Sequence, residues 1–440
     1  MKRVQNIIIG FGKGGKILAK FLAQKGEEVL VIEKSNQMYG GTCINIACLP
    51  SKRLIIEAAN GVDFVDAVNG KNEMTAMLRN KNYHMLADEP TVTVLDGTAR
   101  FTGNHQIAVT TKDGEQRFEG QRIFINTGAQ PIIPNIPGLK ESSAILDSTA
   151  AMDQTALPKR LTIIGGGYIG LEFASMFAEY GYGSAVTVLD SHSDILLRED
   201  DDIRAVVKKD LEDSGVTFET GVQVTRVDDT VVTYEKDGTS QQIAADRILV
   251  ATGRRANTDG LGLENTDVQL GSRGNIIVDD HLKTNVDNVW AIGDVKGGLQ
   301  FTYISLDDFR IIRDQLYVNG QRKVSDRVNV PTSVFITPAL SQVGLTEKEA
   351  QRQGIKYELK KLPVATIPKA RVLQDPRGLF KALIDSQTNQ ILGATLYGPE
   401  SYELINTISL AMNNKIPARV LAEQIYTHPT MTESFNDLFK

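Results

Sequence analysis

The chain has 440 residues, 41% of them hydrophobic, and a formal net charge of −6 at pH 7. One core rarely covers so long a chain, so we expect two to four domains. The mildly acidic balance argues against nucleic acid as a partner, because phosphate binding needs a basic face. The absence of any run of about 18 apolar residues argues against a membrane span and favours a cytoplasmic protein.

The N-terminal segment has the order of a dinucleotide-binding unit. The apolar strand Val4–Ile9 precedes the turn GFGKGG and a helix that ends near Gly26. The strand Val29–Ile32 follows and leads into Glu33. Continuous apolar runs are typical of parallel strands that are covered on both faces. We therefore predict two parallel strands joined by a helix.

The same order recurs once further along the chain. The strand Leu161–Ile164 precedes the turn GGGYIG and a helix from Leu171 to about Tyr180. The strand Ala185–Leu189 follows and leads into Asp190. Two such units predict two nucleotide-binding domains.

Both turns have the spacing GxGxxG. The first glycine allows the tight turn, the second lets the backbone approach a pyrophosphate, and the third lets helix and strand pack closely. One such motif is weak evidence, but each copy follows an apolar strand, opens a helix and has an acid after the next strand. The predicted phosphate-binding glycines are Gly10, Gly12, Gly15, Gly165, Gly167 and Gly170.

The two acids indicate which nucleotide each unit binds. A carboxylate at this position accepts hydrogen bonds from a ribose diol and repels a 2′-phosphate. Glu33 suits the ribose of FAD, and Asp190 favours NADH over NADPH. Arg198 lies a few residues beyond Asp190 and could accommodate a phosphate, so NADPH stays possible.

Two further regions complete the pattern. The strand Val289–Ile292 leads into Gly293 and Asp294, where a small residue and a carboxylate could meet the ribityl chain or ribose of a flavin nucleotide. A strand that ends in Gly-Asp is by itself typical of a turn. From about Pro331, strands alternate with helices without a glycine motif, which predicts a separate α+β domain.

The chain has two cysteines, Cys43 and Cys48, within GGTCINIACLPSK. A cytosolic pair is not a structural disulfide, and zinc would need further ligands, of which the nearest histidine, His84, is distant in sequence. We expect the helical stretch between the cysteines to bring both sulfurs onto neighbouring turns, as a readily reduced disulfide requires. Thr42 and the preceding glycines predict a helix N-terminus, which favours a Cys43 thiolate.

The sequence resembles the pyridine nucleotide-disulfide oxidoreductases, the family of glutathione reductase and dihydrolipoyl dehydrogenase, over essentially its whole length. The matching motifs are GFGKGG, Glu33, GGTCINIACLPSK, the GTA of 97–99, TGAQPIIPNIPG, GGGYIGLEF, ATGRRAN, AIGD and HPTMTE. The resemblance implies an α/β fold with two Rossmann-like domains, for FAD and NAD, and a C-terminal α+β dimerisation domain. The expected boundaries are 1–150 and 276–330 for the two parts of the FAD-binding domain, 151–275 for the NAD(P)H-binding domain and 331–440 for the dimerisation domain.

The resemblance also implies roles for individual residues. Cys48 would lie against the flavin as the charge-transfer thiolate, and Cys43 would be the thiol that attacks substrate. Lys52 and Glu172 match a pair beside the flavin on its nicotinamide side, and Tyr168 matches the residue that gates the nicotinamide pocket. Further implied cofactor contacts are Thr42, Ala99, Gly128, Gly253, Gly293, Asp294 and Thr302.

The HPTMTE motif implies an acid–base dyad of His428 and Glu433. In the family this dyad reaches into the active site of the other subunit, so the resemblance implies a homodimer with shared active sites. Dihydrolipoyl dehydrogenases usually have a second histidine two positions earlier, where this chain has Tyr426. In a chain that had no Cys43–Cys48 pair, the preferred interpretation of HPTMTE would be a helix cap formed by His-Pro-Thr.

Within the family, the chain is most similar to the flavoproteins of reactive-chlorine resistance, which are also described as hypothiocyanous acid reductases. The residues that carry this are MYGGTCINIACLPSK, PVATIPKARV and the stretch 301–314. Mercuric reductases and large thioredoxin reductases carry a C-terminal cysteine pair that this chain does not have, so we expect a small oxidant as substrate. The alternatives are reduction of an organic disulfide such as glutathione or a lipoyl group, reduction of a metal ion, and redox sensing or metal handling without turnover.

Overall fold

The computed structural model describes residues 1–181 and 185–440. It divides into two compact units. Unit 1 comprises Met1–Arg53, Val68–Ile132 and Gly253–Arg327, and unit 2 comprises Leu54–Ala67, Ile133–Thr252 and Val328–Lys440. Within the described part of the chain, no helix is both long and apolar enough to cross a membrane. The four domain boundaries expected from the sequence stay predictions.

The helices and strands of the described residues follow one another in the order below. The first part of the chain forms β1 (Lys2–Ile9), α1 (Lys13–Gln24), β2 (Val29–Glu33), α2 (Thr42–Asn45), α3 (Cys48–Ala59), α4 (Phe64–Ala87), β3 (Val92–Asp96), β4 (Thr98–Gly103), β5 (Gln106–Thr111), β6 (Gly114–Ile125) and β7 (Ala129–Pro131). The middle part forms β8 (Ile145–Leu146), α5 (Ser148–Met152), β9 (Arg160–Ile164), α6 (Tyr168–Tyr180), β10 (Ala185–Asp190), α7 (Asp201–Asp213), β11 (Val216–Thr220), β12 (Gln223–Asp228), β13 (Val231–Lys236), β14 (Thr239–Ala244) and β15 (Arg247–Val250). The last part forms β16 (Arg254–Ala256), β17 (Val289–Ala291), α8 (Thr302–Tyr317), β18 (Thr332–Val334), β19 (Leu340–Gly344), α9 (Glu347–Arg352), β20 (Tyr357–Pro363), α10 (Pro368–Val372), β21 (Leu379–Asp385), β22 (Ile391–Tyr397), α11 (Ser401–Asn413), α12 (Ala418–Glu423) and α13 (Phe435–Leu438).

Unit 1 is built on a sheet with the strand order β3-β2-β1-β6-β5-β4, and β17 also pairs with β6. Strands β1, β2, β3, β6 and β17 pair in parallel, whereas β4, β5 and β6 pair in antiparallel fashion. The central strand carries Ile7 and Ile8, which are fully buried because both faces of the sheet are covered. Phe124 on β6 stacks on Trp290 of β17, with ring centroids 4.9 Å apart. The first predicted nucleotide unit is confirmed.

Unit 2 contains a parallel sheet of order β11-β10-β9-β15-β8, which confirms the second predicted nucleotide unit. An antiparallel sheet β12-β13-β14 follows it in the chain. The C-terminal part of the unit forms a five-stranded antiparallel sheet of order β18-β19-β22-β21-β20, against which α11 packs. The predicted α+β character of this region is confirmed.

Two local predictions are wrong. The helix after GGGYIG begins at Tyr168 rather than Leu171, so Gly170 lies in its first turn. The cysteine segment is not one helix: α2 ends at Asn45, and α3 begins at Cys48. A continuous helix would need Pro50 to donate to the carbonyl of Ile46, and proline has no N–H and would clash with that oxygen.

The C-terminal region of unit 2 encloses a buried cluster of charges. Lys381 on β21 is 1% exposed, and its ammonium contacts Asp200 at 2.9 Å, Asp202 at 3.0 Å and Glu347 at 2.6 Å. These three carboxylates raise the pKa of Lys381 against the opposing effect of burial. Asp200 also accepts hydrogen bonds from the backbone N–H groups of Glu347 and Lys348 at the start of α9. The cluster therefore joins β21, α9 and the start of α7.

We predict that Lys381→Met lowers the free energy of unfolding by about 3–5 kcal/mol, because it leaves the buried Asp200 carboxylate without its cation. The measurement is chemical denaturation followed by circular dichroism. Lys209→Met serves as the control, since Lys209 forms an exposed pair with Asp213 and its loss costs about 0.5 kcal/mol or less. Equal effects of the two substitutions would contradict the prediction.

Candidate active site

The first glycine turn is closed by backbone and side-chain contacts from the end of β6. Gly10 has φ of +101°, and a Cβ atom there would lie 2.4 Å from the carbonyl oxygen of Asn126. Cβ atoms at Gly12 and Gly15 would lie 2.7 Å and 2.6 Å from the Asn126 amide nitrogen. That amide donates to the carbonyl of Gly10 over 3.2 Å. Gly10 is required by its positive φ and backbone contact and Gly15 by its close packing, whereas a Cβ at Gly12 would displace the Asn126 amide.

Glu33 ties the same turn to the end of β2. Its Oε2 accepts a hydrogen bond from the Phe11 N–H over 2.9 Å, and its Oε1 accepts from the Ser35 N–H over 3.2 Å. Burial raises the pKa of Glu33, and the backbone donors partly offset that rise. The carboxylate therefore lies beside the phosphate-binding turn, where it can accept from a ribose diol.

The Gly293–Asp294 turn is held from α8 of the same unit. The Asp308 carboxylate, which is fully buried, accepts from the Gly293 N–H over 2.7 Å and pairs with Arg327 at 2.5 Å. Ser305 of the same helix accepts from the Gly14 N–H over 3.0 Å. Burial raises the pKa of the Asp294 carboxyl group.

The polar groups of unit 1 fit FAD. The Thr127 hydroxyl is buried and has no hydrogen-bond partner among the described residues. It directly follows Asn126, beside the glycine turn, so a polar group of a bound ligand would satisfy it. Gly128, which follows it, has φ of +73° and leaves space up to the Thr42 hydroxyl, 4.0 Å from a Cβ placed there. Ala99 on β4, Gly253 and Thr302 belong to the same unit.

The cysteine pair lies where α2 gives way to α3. Cys43 is in the first turn of α2, Cys48 is the first residue of α3, and both are half-buried thiols that hydrogen-bond to each other. The Cys48 sulfur lies 3.6 Å from the Thr302 hydroxyl. The hydrogen bond with Cys48 and burial raise the pKa of Cys43, which corrects the expectation that the helix N-terminus makes it a thiolate. A four-residue helix has too small a dipole to overcome those two effects.

The second glycine turn, in unit 2, is closely packed at its first and third glycines but not at its second. A Cβ at Gly165 would lie 2.5 Å from the carbonyl of Ala251, and one at Gly170 would lie 1.9 Å from the carbonyl of Gly165. A Cβ at Gly167 would meet nothing within 4 Å, so this position faces open space. Asp190 accepts from the Gly166 N–H over 2.5 Å.

Three more predicted residues lie in unit 2. Asp190 also accepts from the backbone and ring nitrogens of His192, each over 2.7 Å. Glu172 is buried and accepts from the Phe335 N–H over 2.9 Å. Tyr168 is 38% exposed. The pKa of its hydroxyl is raised, first because the group is partly removed from water and second because of the charge of Glu199. Lys52 belongs to unit 1, so its pairing with Glu172 stays a prediction.

His428 and Glu433 form a hydrogen-bonded pair near the C-terminus. The histidine Nδ1 lies 2.8 Å from Glu433 Oε2. The imidazole side chain is 70% exposed, whereas the glutamate side chain is 16% exposed. The carboxylate thus orients a ring whose Nε2 is available to an outside group.

Comparison with known proteins decides the family. Residues 4–308 match the family model of the pyridine nucleotide-disulphide oxidoreductases, and residues 330–439 match that of their dimerisation domain. The chain belongs to the pyridine nucleotide-disulfide oxidoreductases.

Individual relatives agree with this assignment. "Probable pyridine nucleotide-disulfide oxidoreductase RclA" of Escherichia coli strain K12 is 48% identical over 439 residues, which cover 100% of this chain and 99% of the relative. A dihydrolipoyl dehydrogenase of Geobacillus stearothermophilus is 33% identical over 450 residues, which cover 98% of this chain and 94% of the relative. A solved Cu(II) complex of the HOCl-induced flavoprotein disulfide reductase RclA from E. coli has a TM-score of 0.97 at 48% identity, covering 100% of this chain and 99% of that one.

The predicted family, fold class and enzyme class are therefore confirmed. The protein is a flavoprotein oxidoreductase of a family that depends on FAD and NAD(P)H, and it carries the family's dimerisation domain. The roles assigned above to single residues stay predictions.

The sequence reasoning missed the residues that support the oxidoreductase's turns. Asn126, Ser305, Asp308 and Arg327 all lie outside the glycine and cysteine motifs. The paired acids Asp307 and Asp308 inside an amphipathic helix were the one available signal, because charged residues are rarely buried without partners.

We predict that Gly41→Ala strongly reduces FAD retention. Gly41 has φ of +82°, and its Cβ would lie 2.6 Å from the Gly12 Cα, which no side-chain movement can relieve. The measurement is the ratio of flavin to protein absorbance after purification. Gly61→Ala is the control: Gly61 has φ of +70° with open space around it, so only the backbone strain of about 1–2 kcal/mol is added. Full FAD retention in Gly41→Ala would refute the prediction.

Proposed function

We propose that this oxidoreductase uses NADH, FAD and a Cys43–Cys48 disulfide to reduce hypothiocyanous acid, or a related small reactive oxidant, in oxidative-stress defence. The observation that carries the proposal is the full-length similarity, at 48% identity, to an E. coli flavoprotein described as HOCl-induced. Both thiols contact the Thr302 hydroxyl, so the assignment of Cys48 as the flavin-side thiol follows the family resemblance.

The thiols carry out the chemistry on the oxidant. The glycine turn, Glu33 and Asp294 would hold FAD, which when bound would supply the two-electron transfer from the nicotinamide that side chains cannot perform. After Cys43 loses its proton, its sulfur attacks the sulfur of hypothiocyanous acid, so that an S–S bond forms and the S–O bond breaks. Cys48 then attacks the Cys43 sulfur, which restores the disulfide and releases thiocyanate. The two thiols are oxidised, and the oxidant is reduced to thiocyanate and water.

The departing hydroxide needs a proton. The exposed His428, oriented by Glu433, is the group we assign to this step, and it would act in the site of the partner subunit. The match to the dimerisation domain supports a homodimer in which each chain completes the other's site.

The surroundings of Asp190 support NADH as the preferred nucleotide. Its carboxylate is bound to the glycine turn through the Gly166 N–H, so it lies where a 2′-phosphate would have to be placed. The adjoining side chain is the exposed ring of His192, which hydrogen-bonds to the same carboxylate. A carboxylate in this position repels a phosphate and accepts from a ribose.

Reduction of a metal ion is the second candidate function. It is favoured by the Cu(II) complex of the E. coli relative and by similarity, at 33% identity, to a mercuric reductase of Streptomyces lividans. The cysteine thiols would be the soft ligands in that case. Reduction of an organic disulfide is a further alternative, since a dihydrolipoyl dehydrogenase is also similar to this chain. The stopped-flow experiment described next tests this alternative as well.

The deciding experiment is stopped-flow mixing of NADH-reduced enzyme with hypothiocyanous acid, oxidised glutathione, lipoamide and Cu(II). We expect hypothiocyanous acid to reoxidise the enzyme with a kcat/KM at least about tenfold above the others, a difference of about 1.4 kcal/mol in transition-state stabilisation. A higher kcat/KM for lipoamide or Cu(II) would show that this compound, and not hypothiocyanous acid, is the preferred substrate.

We predict that Cys43→Ser abolishes turnover of the oxidant and leaves FAD bound, because the serine hydroxyl is a far weaker nucleophile at neutral pH. Cys48→Ser is the matched variant. It should consume one equivalent of hypothiocyanous acid and retain the adduct on Cys43, which intact-mass measurement detects. Multiple turnovers by Cys43→Ser would eliminate the scheme.

We predict that Asp190→Asn lowers the selectivity for NADH over NADPH about tenfold, since it removes the repulsion of the 2′-phosphate and keeps an acceptor for the turn. The measurement is the ratio of the two kcat/KM values. His192→Ala, which leaves the carboxylate in place, should keep NADH preferred. An unchanged ratio in Asp190→Asn would show that selectivity lies elsewhere.

A further inference from the structure

Lys16 is a buried lysine in the first turn of helix α1, in unit 1. It follows the last glycine of GFGKGG on α1, and only 4% of the residue is exposed. Removing an ammonium group from water is costly unless hydrogen bonds or opposite charge compensate it. A lysine in this place therefore needs partners, and the structure provides them.

Two acceptors hold the ammonium group. Its Nζ donates to the Asn82 side-chain oxygen over 2.5 Å and to the Gly40 carbonyl over 3.3 Å. The amide nitrogen of Asn82 donates in turn to the Leu78 carbonyl within α4 over 2.7 Å. This second bond turns the oxygen of Asn82 towards Lys16, so that the acceptor is fixed by α4.

The Gly40 carbonyl belongs to the turn that leads into the cysteine helix. Gly40 and Gly41 have φ of +95° and +82°, and Gly41 is the residue immediately before α2. Cys43 lies two residues further on. The hydrogen bond from Lys16 therefore fixes the backbone from which Cys43 projects.

The ammonium of Lys16 also interacts electrostatically with Cys43. Burial and the neighbouring Lys13 lower the pKa of Lys16 to about 8, and Cys43 acts in the opposite direction. Lys16 correspondingly lowers the pKa of Cys43, against the larger effects of burial and of Cys48. Lys13 on α1 and Cys43 on α2 are the titratable groups that act on Lys16, and α4 presents the neutral amide of Asn82.

We propose that Lys16 is a positioning residue that holds the Gly40–Gly41 turn and stabilises the thiolate of Cys43. This proposal rests on the proposed role of Cys43 as the thiol that attacks the oxidant. A protonated Lys16 acts electrostatically on a sulfur that the hydrogen bond with Cys48 and burial would otherwise keep neutral. The same charge favours approach of the anionic or polarised oxidants that such a thiolate attacks.

The test measures the reactivity of Cys43 directly. In a Cys48→Ser background Cys43 is the only cysteine in the chain, so its alkylation by iodoacetamide can be followed over pH in the FAD-loaded enzyme. Lys16→Met removes charge and donor, Lys16→Gln keeps a donor for Gly40 without the charge, and Lys16→Arg keeps the charge. Lys20→Met is the control, since Lys20 lies one turn further along α1 and pairs with Glu89 near the surface.

We expect Lys16→Met and Lys16→Gln to raise the pH midpoint of alkylation by about one unit, and to slow the reaction at pH 7 about tenfold. Lys16→Arg and Lys20→Met should keep the midpoint of the background enzyme. An unchanged midpoint in Lys16→Gln would overturn the proposal, and so would loss of FAD from all three Lys16 variants, which would show a packing role alone. Alkylation needs neither NADH nor oxidant, so its outcome is independent of whether Cys43→Ser retains turnover.

Discussion

The backbone contact between Gly41 and Gly12 is the constraint on which the arrangement of the site depends. A Cβ at Gly41 would lie 2.6 Å from the Gly12 Cα, so the cysteine segment and the nucleotide turn touch without any side chain between them. Gly12 in turn lies against Asn126 at the end of β6. Cys43 is therefore placed by rigid elements of the parallel sheet, which position a reactive group more precisely than a mobile loop would.

Buried carboxylates hold each of the turns that would meet a nucleotide. Glu33 accepts from the Phe11 N–H, and Asp190 accepts from the Gly166 N–H, in each case the residue directly after the first glycine. Asp308 does the same for Gly293. The two acids of the fingerprints thus bind their own glycine turns, and a carboxylate keeps further lone pairs that could accept from a ribose.

Much of the fold could be predicted because the strand and helix patterns are local. The continuous apolar runs gave both parallel units correctly, and the change of pattern near Pro331 gave the α+β region. The errors were also local in origin. The sequence pattern predicts a helix that begins after Gly170, whereas Gly170 lies inside its first turn. It also predicts one helix through the cysteine segment, which Pro50 interrupts.

The sequence by itself determined the kind of chemistry, since the cysteine pair, the glycine turns and their acids act through short spacings along the chain. Only the tertiary structure decided which side chains hold these groups in place and how their pKa values shift. Ser305 reaches the Gly14 N–H across 291 positions, and Asn82 reaches Lys16 across 66. Such partners come from segments that only the packed sheet brings together. Burial, which contributes to the pKa shifts of Cys43 and Lys16, exists only once that packing is complete.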